Sequence, residues 1–342
     1  MRRSLGSCLV ACLGLVSLAC AKRTTRDSMI GVTPQYEQEE EEPREAPVDE
    51  KPEADVVAQA ARPFTGYRVA DERSFARESF LTHLAAADAI CIGERHGTAS
   101  DHFAELSLIN GLAERRALRG FELGLGMEML RTKQQGMMNA YLDGTYGLET
   151  FAARSLWRQE WGFPIEYYAP TLQAARDAQV TGVALGVDRK LGSSIAQKGL
   201  AGLTSAETFE LPHEIDLGVA EHRKLFDALT KDHPHGDPEF MYQTQVVWDE
   251  AMAERGAAFL SARAPGRKLL ILAGAAHCHR AAIPARLARR GNFRVVSVLP
   301  VEGQPHPVSQ SSQQPSAAPA AAPAEAPAKE APAKEAPAKE AG

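Results

Sequence analysis

Between residues 64 and 301, short apolar runs alternate with amphipathic stretches, and this alternation constrains the fold more than any other feature. The runs are "AICIG" (89–93), "GFELGLGMEML" (120–130), "VTGVALGV" (180–187), "KLLILA" (268–273) and "FRVVSVL" (293–299). Each is short, apolar on both parities and bounded by glycine or charge, as a strand covered on both faces should be. Helical spacing marks 74–87, 99–115, 132–142, 149–156, 166–178, 205–230, 238–261 and 281–290; in the second of these Phe103, Leu106, Ile109 and Leu112 share one face. Strands separated by helices imply right-handed crossovers. The predicted fold is α/β: three layers, α/β/α, with a mostly parallel sheet and a helical subdomain within about 191–263. About 240 residues suffice for one such domain.

The flanks are of different composition. Residues 1–19 open with Met-Arg-Arg and continue as a short apolar, small-residue stretch, the pattern of a signal peptide rather than a membrane span. "LVSLAC" is similar to a bacterial lipobox and points to Cys20 as a lipidated residue, with Ser17 as an imperfect match. Residues 20–63, including "YEQEEEEPREAPVDEKPEAD", cannot bury enough apolar surface to offset ordering and are expected to form an acidic tether. Residues 302–342 end in "EAPAKEAPAKEAPAKEAG", where the recurring proline blocks a stable helix and leaves a spacer. These features predict an exported protein, lipid-anchored to the bacterial envelope at the outer membrane. A net charge of −6 with no basic stripe argues against nucleic acid as a partner.

Of five cysteines, Cys8 and Cys12 lie in the leader and Cys20 at its end, leaving Cys91 and Cys278. Those two can pair or stay as buried thiols; spacing does not choose.

In open parallel sheets ligands bind beyond the carboxyl ends of the strands. Glu94, Arg95 and His96 follow the first strand, Glu128 ends the second, Asp188 and Arg189 follow the third, and His277 and His279 follow the fourth. Gly93–His96 and Gly274–His277 are two Gly-x-x-His units, each glycine expected to let the chain turn out of its strand. Glu94, His96 and His277 form a plausible set for a divalent metal, with Glu128 free as a general base. Taken singly, each histidine reads equally well as a hydrogen-bonded loop residue. Glu122 shares Glu128's side of its strand, as a supporting or merely an edge residue. His102 is placed to reach the site from the next helix, whereas His233 and His235 read as a Pro/Gly loop. Cys278 and His279 have no counterpart in the first unit and are read as neighbours of the site.

"ICIGERHGTASDHFAELSLINGL", "GMEMLRTKQQGMMNAYLDG", "LWRQEWGFPIEYYAPTLQAARDAQV", "QTQVVWDEAMAERG" and "LLILAGAAHCHRAAIPARL" resemble, in this order, the ChaN-like haem-binding lipoproteins of the Tiki and erythromycin-esterase-like superfamily. The resemblance implies a surface lipoprotein of iron uptake that binds haem or an iron complex, where a homodimer can enclose haem with tyrosine as iron ligand. The tyrosines that could serve are Tyr167, Tyr168, Tyr141 and Tyr242, with Arg95, a departure from the family's small or aliphatic residue, available for a haem propionate or for Glu94. The Tiki branch implies instead a metal-dependent hydrolase or protease, with Glu94, His96, Glu128 and His277 as its catalytic set. Whether the chain is an enzyme is left open.

Overall fold

The structure, a computed structural model, describes residues 64–232, 236–262 and 266–303 of the 342. The leader, Cys20, the tether, His233, His235 and all but the first two residues of the tail lie outside them. Five parallel strands form the sheet: β3 (Ala89–Glu94), β4 (Glu122–Arg131), β5 (Thr181–Gly186), β6 (Arg267–Gly274) and β7 (Val295–Val298), in spatial order β5–β4–β6–β3–β7.

Residue parity sorts the core into two layers. On one face Ile90, Ile92, Leu123, Leu125, Met127, Leu270 and Leu272 pack under α2 (Ala99–Arg119), α3 (Gln135–Leu142) and α6 (Ala169–Asp177). On the other, Cys91, Leu269, Ile271 and Ala273 meet α10 (Pro238–Ser261) and α11 (Ile283–Gly291) through Met252, Ala253, Phe259, Ile283 and Leu287. This is the three-layer α/β/α arrangement expected from apolar runs that do not alternate. No helix among the described residues is long and apolar enough to cross a membrane.

Two local expectations change, and one question left open is decided. Residues 74–87 do not begin as helix: β1 (Thr65–Arg68) and β2 (Arg73–Ala76) form an antiparallel hairpin, and α1 covers only Arg77–Leu84. The stretch 205–230 is two helices, α8 (Ser205–Thr208) and α9 (Ala220–Thr230), because the Pro/Gly-bearing segment between them breaks the ladder. The remaining helices are α4 (Leu148–Arg154), α5 (Trp157–Glu160) and α7 (Arg189–Lys198). Finally, Cys91 and Cys278 form a disulfide that ties the middle of β3 to the turn after β6, across 187 residues of sequence.

Candidate functional site

β3 and β6 run in register, with Glu94 opposite Gly274, so the two Gly-x-x-His segments leave the sheet side by side. The amide of Ala275 donates to the Glu94 carbonyl (2.9 Å), and the Gly274 amide donates to the Glu128 carboxylate (2.7 Å). Three adjacent strand ends are thereby stitched together. Neither Gly93 nor Gly274 has a left-handed backbone. Close approach requires the first glycine instead, and the second packs tightly under both rings. A Cβ on Gly93 would lie 2.8 Å from the Ala275 Cα, and one on Gly274 would meet the rings of both His96 (3.2 Å) and His277 (3.6 Å). The two imidazoles converge on Gly274.

Each imidazole is backed by a buried carboxylate. His96 Nδ1 lies 2.6 Å from Glu94 Oε1, and His277 Nδ1 lies 2.7 Å from Asp249 Oδ1. His277 Nε2 faces Glu128 Oε1 at 3.5 Å, while His222 Nε2 holds the far oxygen of Asp249 at 2.9 Å. Burial disfavours imidazolium at both sites but loses to the acids: the Glu94 hydrogen bond and the Glu128 and Glu94 charges raise His96, and the Glu128 and Asp249 charges raise His277 to about 9.

The His277 shift has a consequence for stability. A group whose pKa is higher folded than unfolded stabilises fully below its unfolded value and loses that contribution as pH rises through its folded value. The window here runs from about 6.5 to about 9. Unfolding free energy should fall across it by up to about 3 kcal/mol. Urea melts at pH 6 and pH 9.5 check this, and His277→Gln should flatten the difference.

Behind His96 the acids form a tighter group. Glu94 Oε1 also accepts from the Tyr168 hydroxyl (2.5 Å), which accepts from Trp161 Nε1 (3.0 Å). From α2, His102 and Glu105 come up against Glu94, all three buried. Burial and the Glu94 charge push the Glu105 carboxyl well above its ordinary value. Burial acts on Glu94 in the same direction but is overcome by hydrogen bonds from Glu105 and His96, which hold it at about 2.

The expected metal set is not the one assembled. Glu94 stands behind His96 and orients it, so it does not share an open point with His277. The group that comes within reach of one ion, among the described residues, is Glu94, His102 and Glu105, whose ligand atoms lie within 4.8 Å of one another. The tyrosines also change role. Tyr168 is fully buried; its burial and the Glu94 and Glu105 charges raise its pKa well above 10, and its hydroxyl is committed to Glu94. Tyr141 is buried in the same core cluster as Tyr168, against Phe151, and Tyr242 in a separate one. Tyr167 is half-buried and stacks on His102 at 5.1 Å. Arg95 pairs with Asp101 (2.9 and 2.7 Å) rather than with Glu94. Asp188 caps α7 and pairs with Lys133, Arg189 holds the Gln159 carbonyl, His279 is bonded within its own turn, and Glu122 pairs with Arg267 at the far end of β4.

Asp249, His222 and Glu105 were missed because they lie on helices rather than at strand ends. The His102–Glu105 spacing of three on a buried helical face is a signal that could have found one of them. The half-buried Trp161 and Phe163 close one side of the site, their rings 4.8 and 5.2 Å from that of His96. A cleft beside it is lined by Glu128, Arg131, Trp161, Gly186, Val187, Trp248 and Met252.

The family model described as "Haem-binding uptake, Tiki superfamily, ChaN" matches residues 80–287. The chain belongs to this family. It is a haem-binding uptake protein in kind. A solved ChaN of Campylobacter jejuni with cofacially bound haem is 18% identical, with a TM-score of 0.53 over 71% of this chain and 93% of that one. That likeness bears out the ChaN-type α/β fold. A mutant erythromycin esterase, EreC, in its open conformation is 16% identical, with a TM-score of 0.39 over 63% of this chain and 70% of that one. No curated protein matches the sequence.

Proposed function

We propose that this ChaN family member is an exported protein, lipid-anchored to the outer membrane through Cys20, that takes haem at the carboxyl edge of its sheet. The observation that carries the site is His96. Its Nδ1 is held by the buried Glu94, its side chain is 28% exposed, and Nε2 makes no hydrogen bond among the described residues. A carboxylate-oriented imidazole of this kind suits a haem iron. The half-buried Trp161, Phe163 and Tyr167 supply apolar surface for a porphyrin face. Haem bound here would supply a ferric centre; Glu94 would orient the His96 imidazole toward it, and Trp161 and Phe163 would exclude water. Cofacial haem binding, named for the C. jejuni relative, would bring a second copy of this chain over the same edge. The Cys91–Cys278 bridge supports export, since such bonds persist in oxidising compartments.

Titration of the full chain with hemin should shift the Soret band at micromolar concentration. His96→Ala should weaken binding roughly tenfold or more, and Tyr167→Phe resolves whether the phenol contributes. An unchanged spectrum in the wild type overturns the proposal.

A second reading, hydrolysis at the two Gly-x-x-His turns, is favoured by the two histidine–carboxylate pairs facing one another across Gly274. If it needs a metal at those turns, binding of Mn2+ or Zn2+ must be lost in His277→Ala.

A further inference from the structure

Beneath the site, one imidazole and two carboxyl groups meet out of reach of solvent. His102 Nε2 donates to the His96 carbonyl at 2.9 Å, which turns Nδ1 toward the two acids. Facing Nδ1 are Glu105 Oε2 at 3.2 Å and Glu94 Oε2 at 3.9 Å. His102 is 2% exposed, Glu94 2% and Glu105 0%. Glu94 Oε2 and Glu105 Oε1 are buried and accept from no amide, hydroxyl or ring N–H. Unpartnered carboxylate oxygens in such a place are costly unless something positive sits among them.

We propose that Glu94, His102 and Glu105 form a binding site for a divalent first-row transition cation, distinct from the haem edge above it. The donor set is one imidazole nitrogen and carboxylate oxygens, which suits Mn2+, Fe2+ or Zn2+ better than a purely oxygen-seeking or thiolate-seeking ion. The surroundings are those of metal ligands. His102 gives its other ring nitrogen to a backbone carbonyl, and Glu94 has its remaining oxygen fixed by Tyr168 and His96. Tyr167 stacks on the His102 ring and holds its plane. Because Glu94 serves both His102's group and His96, an ion here would be joined to the exposed imidazole through one carboxylate. The competing occupant is a proton shared by Glu94 and Glu105.

The test is metal uptake by the full chain, stripped with chelator, dialysed against Mn2+ or Zn2+ and assayed by elemental analysis and thermal melting. A near-stoichiometric ion that raises the melting temperature is expected. Glu105→Gln supplies a permanent hydrogen donor in the same shape, so it should fold whichever occupant is native; it should weaken metal binding at least tenfold and abolish the thermal shift. His277→Ala should keep the ion. No bound metal in the wild type, unchanged binding in Glu105→Gln, or loss of the ion in His277→Ala each overturns the proposal, the last by moving the metal to the Gly-x-x-His turns. Hemin binding is read separately by its Soret band, so failure of either site is told apart from failure of the other.

Discussion

Replacing Cys91 and Cys278 together by alanine is expected to lower the unfolding free energy by about 2–5 kcal/mol. The bridge closes a loop of 187 residues, long enough that the chain-entropy view places it near the upper end of that range. Both half-cystines are fully buried, so alanine adds small cavities to the lost cross-link. The effect should also reach the site. Cys278 neighbours His277, and its Cβ would lie 3.1 Å from one built on Gly93, so the bridge holds the second histidine turn against the first. Urea melts of wild type with and without reductant, beside those of the double variant, measure this. Coincident curves would show that packing alone holds the turn.

Glu250→Ala is expected to cost about 3–5 kcal/mol, because it strands buried positive charge. Glu250 is fully buried and is shared by three arginines of α11: Arg286 Nε at 3.1 Å, Arg289 Nη2 at 2.9 Å and Arg290 Nη1 at 2.6 Å. Arg286 is itself fully buried. Its other contacts are backbone carbonyls and His222, and none neutralises its charge. Asp249 precedes Glu250 on α10, so loosening that pairing should also release His222 and His277. The measurement is the urea midpoint at constant m-value. Pairing Glu250→Leu with Arg286→Met should recover part of the loss, since removing both buried partners is far less damaging than removing one.

Much of this architecture was legible in the sequence. The five apolar runs became the five sheet strands, and the pairing of His96 with His277 followed from two equal spacings at two strand ends. The misreadings have physical causes. Residues 74–87 have an apolar spacing that suits a helix, but their first residues are taken by pairing with β1, a contact that local periodicity does not encode. The glycines of the two motifs suggested turning, whereas the structure uses them for clearance, which depends on what another strand brings near. Tyr168 looked like a ligand because tyrosine can bind iron. Its burial and its bond to Glu94 are tertiary facts, as is the approach of Asp249 to His277 from a helix 28 residues earlier.

The position of β6 carries one more consequence, for biosynthesis. It is the fourth of the five sheet strands in the chain, yet it lies between β4 and β3. Until residues 267–274 are made, β3 and β4 have no partner between them, and their facing edges stay unpaired. The sheet cannot close sequentially from the N-terminus; its centre is laid last but one. Pairings over such separations close slowly. A nascent or C-terminally truncated chain therefore exposes two apolar strand edges and lacks one of its two converging histidines, so ligand competence is acquired only as the domain is completed.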